Sequence, residues 1–172
     1  LTDITGLSAL HSVGGSLELE SNPLLSGLAG LSSLVTVSGS LSLRYNHSLD
    51  SVAGLSSLSS VGGYFSVHDN DSLSSLQGMA NLAAVGGNFS VSLNDLLLTL
   101  AGLSSLGSVA GDLYVADNST LSALELQSLN SIGGDLIVRD NPSLCQTSVN
   151  ALLNSASLAG SVDDITGNNN GC

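Results

Sequence analysis

The chain has 172 residues, of which 35 are Leu, 34 Ser and 20 Gly; its only Lys or Arg residues, Arg44 and Arg139, stand against 14 acids, for a net charge of −12. So few cations cannot neutralise nucleic-acid phosphates or hold an anionic membrane surface, and no apolar run approaches the length that crosses a bilayer, so nucleic acid and membrane insertion are excluded. A hydrophobic content of 42% is too high for a disordered chain, and a foldable chain drawn from so few residue types points to a repeat.

The chain opens inside a unit, at Leu1-Thr2-Asp3-Ile4, without the polar cap that closes a solenoid core. A processing boundary is preferred here to an open end that stacks on a partner. From this point Asn22, Asn46, Asn70, Asn94, Asn118 and Asn141 recur at intervals of 24, 24, 24, 24 and 23 residues. Val13, Val37, Val61, Val85, Val109 and Ile132 keep the same step, as do Leu25, Leu49, Leu73, Leu97, Leu121 and Leu144. The one-residue deletion falls at Glu125-Leu126. In each unit the G-x-L-x-V segment alternates apolar and small residues, the pattern of a strand with one buried face. The inward pairs run from Leu17/Leu19 through Phe65/Val67 and Phe89/Val91 to Leu136/Val138, and stacking them gives a parallel sheet with about 4.8 Å between coils. The glycine before each strand (Gly15, Gly39, Gly63, Gly87, Gly111, Gly134) is expected to supply a positive φ. A second glycine column, Gly6 to Gly102, marks another corner. The L-x-x-L-x-x-V side has a three-residue period, which suits extended or 3₁₀ backbone better than an α-helix. The asparagines are expected to form a ladder, their amides satisfying backbone groups where each coil bends inward.

Taken together, L-x-x-L followed by G-G-x-L-x-V-x-x-N, complete in Ser60-Val61-Gly62-Gly63-Tyr64-Phe65-Ser66-Val67-His68-Asp69-Asn70, resembles the receptor L-domain variant of the leucine-rich repeat. The resemblance covers about residues 4–144. It implies a β-solenoid of right-handed, parallel coils of about 24 residues and an extracellular recognition role, secreted or at the cell surface. It fixes no ligand. Unlike the animal receptors, this chain has no cysteine-rich modules and no tryptophan.

The period is lost after residue 144, so the chain divides into a six-coil solenoid (1–144) and a C-terminal cap (145–172). Val149, Leu152 and Leu153 place a short helix over Thr147–Ser157, and Ser161–Ile165 reads as a last strand. Leucine-rich extracellular solenoids commonly end in cysteine caps. A Cys145–Cys172 disulfide is therefore preferred to two free thiols, implying an oxidising compartment and about 3 kcal/mol of chain-entropy stabilisation. Four sequons occur, at Asn46, Asn70, Asn88 and Asn118. Three are ladder positions expected to face inward, which leaves Asn88 as the glycosylation candidate.

Signatures of catalysis are missing: His11, His47 and His68 share no repeat position, and no catalytic, phosphate-binding or Cys-x-x-Cys motif is present. The chain is read as non-enzymatic, with no cofactor. The turn acids Asp69, Asp71, Asp95, Asp117 and Asp140 are candidates for Ca²⁺, though turn formation explains them more simply because they do not repeat in every unit. Two surfaces remain. One is a flat Ser/Thr face, with Thr36, Ser60, Ser108 and Ser131 in one rank and Ser33, Ser57 and Ser105 in another. The other is the sheet face, where Arg44, Tyr64, His68, Asp112, Tyr114 and Arg139 are the large or charged groups, Tyr and Arg being typical of binding hot spots. The leading reading is recognition or adhesion through the sheet face, with a protein or glycan partner. The alternatives are a filament or surface layer built from stacked copies, and ice binding by the Ser/Thr face.

Overall fold

The structure, a computed structural model describing residues 1–172, is a stack of coils carrying two all-parallel sheets of seven strands each. The longer strands are Leu17–Glu20, Leu41–Arg44, Phe65–His68, Phe89–Ser92, Leu113–Ala116, Leu136–Arg139 and Val162–Asp164. The second sheet is made of two-residue strands, from Ser12–Val13 through Ser60–Val61 to Ser157–Leu158. Only the long sheet was legible as a sheet, because two residues carry no readable alternation. Between the sheets run 3₁₀ turns at Thr5–Leu7, Ala29–Leu31, Ala53–Leu55 and Ala101–Leu103, on the side whose three-residue period excluded an α-helix. The Leu and Val columns fill one continuous core of 40 buried residues, and Phe65 stacks on Phe89 with ring centroids 5.1 Å apart.

The asparagine ladder forms as expected. The Asn70 N–H donates to Asn94 Oδ1 at 3.2 Å, and the Asn94 N–H to Asn118 Oδ1 at 3.1 Å. Each Nδ2 donates back to a strand carbonyl of the preceding coil, Asn70 to Leu43 and Asn94 to Val67, both at 3.1 Å. Asn46, Asn70, Asn94, Asn118 and Asn141 are fully buried, where an unpaired amide would be costly. Asn168 extends the ladder into the cap by accepting from the Asn141 N–H and donating to the Val138 carbonyl. The 27-residue step to it hid this member from the 24-residue pattern.

The glycine expectation is corrected. None of the six glycines before the long strands has a positive φ; that conformation falls instead on the residue before each ladder asparagine, Ser21, Tyr45, Asp69, Leu93, Asp117 and Asp140, at φ of 54–57°. This left-handed residue turns the asparagine inward. The glycines answer to proximity instead. A Cβ on Gly111 would lie 2.0 Å from Asn88 Oδ1, and one on Gly54 1.8 Å from the Leu28 carbonyl oxygen of the coil beneath.

The cap carries one α-helix, α1 (Gln146–Ser155), close to its expected span. Val149 and Leu152 of α1 are buried against the last coil. Cys145 and Cys172 are disulfide-bonded, with Cα atoms 5.7 Å apart. The serines serve the stack as well as the surface: the hydroxyls of Ser48, Ser57, Ser72, Ser128 and Ser143 each donate to a carbonyl of the preceding coil.

Replacing Asn94 with Ala leaves the Val67 carbonyl and the Asn70 N–H unpaired in the core, at a cost of about 3 kcal/mol. Asn22→Ala, at the half-exposed first rung, is expected to cost under about 1 kcal/mol; urea unfolding of both variants checks the difference. Gly54→Ala is expected to lose about 1–3 kcal/mol by forcing two coils apart. Its repeat equivalent Gly6→Ala, with no atom within 4 Å of the added Cβ, should stay within about 0.5 kcal/mol of wild type in the same assay.

Candidate functional site

The outward residues of the long sheet stand in straight ranks, because the six strands from Leu17–Glu20 to Leu136–Arg139 pair in register: Glu18, Ser42, Ser66, Ser90, Tyr114 and Ile137 form the middle rank. One rank toward the strand starts, a second ladder runs along the rim. Ser16 Oγ accepts the Ser40 N–H and Ser40 Oγ accepts the Tyr64 N–H, both at 3.1 Å. Asn88 Oδ1 accepts the Asp112 N–H at 3.1 Å, Asp112 Oδ1 the Asp135 N–H at 2.9 Å, and Asp135 Oδ1 the Ser161 N–H at 2.7 Å. These oxygens occupy the space that the rim glycines leave by lacking a Cβ. Tyr64 interrupts the ladder. Its phenol offers no acceptor at that height, and the Asn88 N–H makes no hydrogen bond within the protein.

Beside this break lies an open groove of about 540 Å³, lined by Arg44, Tyr64, Ser66, Asn88 and Ser90 over a floor that includes Gly63 and Gly87. Arg44 stands opposite Glu20 in the strand register yet makes no ion pair with it. Its Nε donates to Ser66 Oγ at 3.4 Å, and its guanidinium carbon lies 6.0 Å from the centre of the Tyr64 ring, a cation–π distance. The Tyr64 hydroxyl donates to Glu18 at 3.4 Å, which holds the ring upright.

The six expected sheet-face residues divide into separate groups. Arg44 and Tyr64 share the groove. Tyr114 and Arg139 form another cluster toward the cap, where the Tyr114 hydroxyl accepts from Arg139 at 3.0 Å and the guanidinium also pairs with Asp140 and Asp164. The bond to Asp140, and then Tyr114, raise the Arg139 pKa above its ordinary value. Asp112 is committed to the rim ladder and accepts from Asn88 Nδ2 at 3.0 Å. His68 lies 2.8 Å from Ser92 Oγ and edge-on to Tyr45; Ser92 is 5% exposed, so this pair does not present its oxygen to a substrate. The sequence marks neither Ser66 nor Ser90 as a site residue, Gly87 only as a turn glycine and Asn88 only as a sequon. The signal for all four was the absence of an acceptor at position 64 in an otherwise oxygen-bearing column.

Of the turn acids, the structure brings together Asp69 and Asp71, joined by His47, whose Nδ1 is 3.0 Å from Asp71 Oδ2 and 3.8 Å from Asp69 Oδ1. One imidazole and two carboxylates offer fewer oxygens than Ca²⁺ takes. Asp95 instead accepts from Ser119, and Asp140 pairs with Arg139; Asp117 joins neither group. On the short sheet Thr36, Ser60, Ser108 and Ser131 do form one rank, with Ala84 between. Ser33, Ser57 and Ser105 share one repeat position in the turn after the 3₁₀ segments, outside that rank, and Ser57 donates to the Ser32 carbonyl at 2.7 Å. Asn88 is exposed and the other three sequon asparagines are buried.

The Ser161 N–H and hydroxyl hold the Asp135 pKa below the usual carboxylate range, and Thr166 does the same for Asp164. A carboxylate with a lowered native pKa contributes stability above its unfolded value, about 3.9, and loses it as the pH falls toward the native value. The melting temperature is therefore expected to drop on acidification below about pH 4. Melting curves across pH of a variant carrying Asp135→Ala and Asp164→Ala should show a shallower acid slope than wild type.

A family model described as Receptor L domain matches residues 35–156. No curated protein and no solved structure matches the chain.

Proposed function

The chain belongs to the receptor L-domain family, whose members are non-catalytic, ligand-binding extracellular domains, and from that premise we propose that it is a recognition or adhesion module that takes a protein or glycan ligand on the face of its long sheet. One observation carries this reading. Both arginines and two of the three tyrosines stand on that face, whereas the short sheet presents a rank of Ser, Thr and Ala. Arg and Tyr suit recognition because Tyr brings a large, rigid contact area and Arg a planar fork of directed donors. The disulfide agrees with an oxidising, extracellular setting, and no helix is long and apolar enough to cross a membrane. Asn88 is the one sequon asparagine whose side chain is free of the core, and a glycan there would stand at the rim of the groove.

The test is to screen the labelled protein against arrays of extracellular protein domains and of glycans, then to compare two bulky substitutions. Ser90→Trp on the long sheet is expected to lower binding of any ligand found by at least tenfold, and Ser60→Trp on the short sheet to leave it unchanged. The reverse ranking, or ice shaping by the wild type with no array ligand, would move the function to the short sheet.

A further inference from the structure

Resting on the sheet-face reading, we infer that the groove over the second to fourth coils is a subsite for an acidic sugar: Arg44 takes the carboxylate, and the Asn88 N–H with the Ser90 hydroxyl takes neighbouring sugar oxygens. Three independent observations converge on it.

The first is charge. In a chain of net charge −12, Arg139 is neutralised by Asp140 and Asp164, while Arg44 makes no ion pair. It turns away from Glu20, the carboxylate facing it across the strands, and lies over Ser66 and Tyr64 instead. A guanidinium held by a ring and a hydroxyl keeps most of its donors free in a geometry that matches a carboxylate. The second is the unused backbone donor. Every other rim N–H from Ser40 to Ser161 is taken by a side-chain oxygen of the preceding coil. The Asn88 N–H alone is left, at the edge of the same groove, because Tyr64 stands where an oxygen would be.

The third is the lining. Ser66, only 3% exposed, accepts from Arg44 and so positions the guanidinium, while the half-buried Ser90 Oγ makes no hydrogen bond within the protein. A protein partner is held best by an extended apolar, desolvated centre, whereas here Tyr64 is the one exposed ring and glycine, serine, asparagine and arginine surround it. A small polyhydroxylated anion uses hydroxyls, a free N–H and a guanidinium together. The acidic sugar is therefore favoured over an acidic peptide.

The experiment is a ¹H–¹⁵N NMR titration with oligosaccharides ending in glucuronate, galacturonate or sialic acid. Their carboxyl-reduced counterparts and a glutamate-rich peptide form the comparison arms. The expected result is a shift of the Asn88 amide and Arg44 Nε signals with at least one acidic saccharide, and at least tenfold weaker binding of its reduced form. Arg44→Gln should weaken binding at least tenfold, with partial recovery in Arg44→Lys. Tyr64→Ser is the decisive variant. Its hydroxyl should complete the rim ladder as Ser40 does, so that the fold is retained, the Asn88 amide becomes protected from hydrogen exchange, and the saccharide is lost. No shift at Asn88 or Arg44 with any acidic saccharide would overturn the inference, as would equal binding of the reduced forms or binding of the peptide alone at the groove. If the inference fails while Ser90→Trp still abolishes an array ligand, the sheet-face reading stands; if Ser90→Trp also leaves that ligand bound, both fall.

Discussion

The constraint on which the molecule depends is the burial of an amide in every coil. A chain that turns inward once per 24 residues must leave backbone carbonyls and N–H groups pointing at its own core, and water cannot reach them there. The asparagine side chain meets one donor and one acceptor at once, and no apolar residue of similar size does so. Its position then dictates the rest. The residue before it must take a left-handed conformation, as Ser21, Tyr45, Asp69, Leu93, Asp117 and Asp140 do. The strand before that must face its apolar residues inward, and the coils must stack without offset so that each amide meets the next. The leucine columns supply most of the burial energy, but the asparagines set the register in which it is gained.

Much of this was legible in the chain itself, because a solenoid repeats its physics. The Val and Asn columns place the strands, the ladder and the core from the sequence alone, and Val149, Leu152 and Leu153 place the helix of the cap. What escaped has identifiable causes. The short sheet has strands of two residues, too brief for any alternation to show. Asn168 stands off the period because α1 is inserted ahead of it. The glycines were assigned to conformation when they answer to proximity, since a sequence shows that a Cβ is absent but not which atom would have met it. The groove was half visible: Arg44 and Tyr64 drew notice as large groups, while Ser66 and Ser90 resembled the other serines. Their importance comes from what stands beside them, a relation between neighbouring coils.

The two ladders also account for the surface. Along the rim, Ser16, Ser40, Asn88, Asp112 and Asp135 spend their oxygens on the stack, so acids that look like binding groups in the sequence are largely structural in the fold. The same holds for the hydroxyls of Ser48, Ser57, Ser72, Ser128 and Ser143, which tie each coil to the one before. Side chains free to meet a ligand are consequently few. They gather where a ladder is interrupted, and Tyr64 is the place on the long sheet where that happens.

The asparagine ladder has a direction, and that direction bears on how the chain is made. Each buried N–H of one coil waits for the Oδ1 of the coil that follows, and each strand carbonyl waits for the Nδ2 that follows it. During synthesis from the N-terminus, a coil is thus left with open polar groups until about one further coil has emerged from the ribosome. The last of these vacancies is closed by Asn168, four residues before Cys172 completes the disulfide. Each coil's polar groups are therefore satisfied one coil behind its own translation, and the Cys145–Cys172 disulfide becomes able to form only once Asn168 too has been translated.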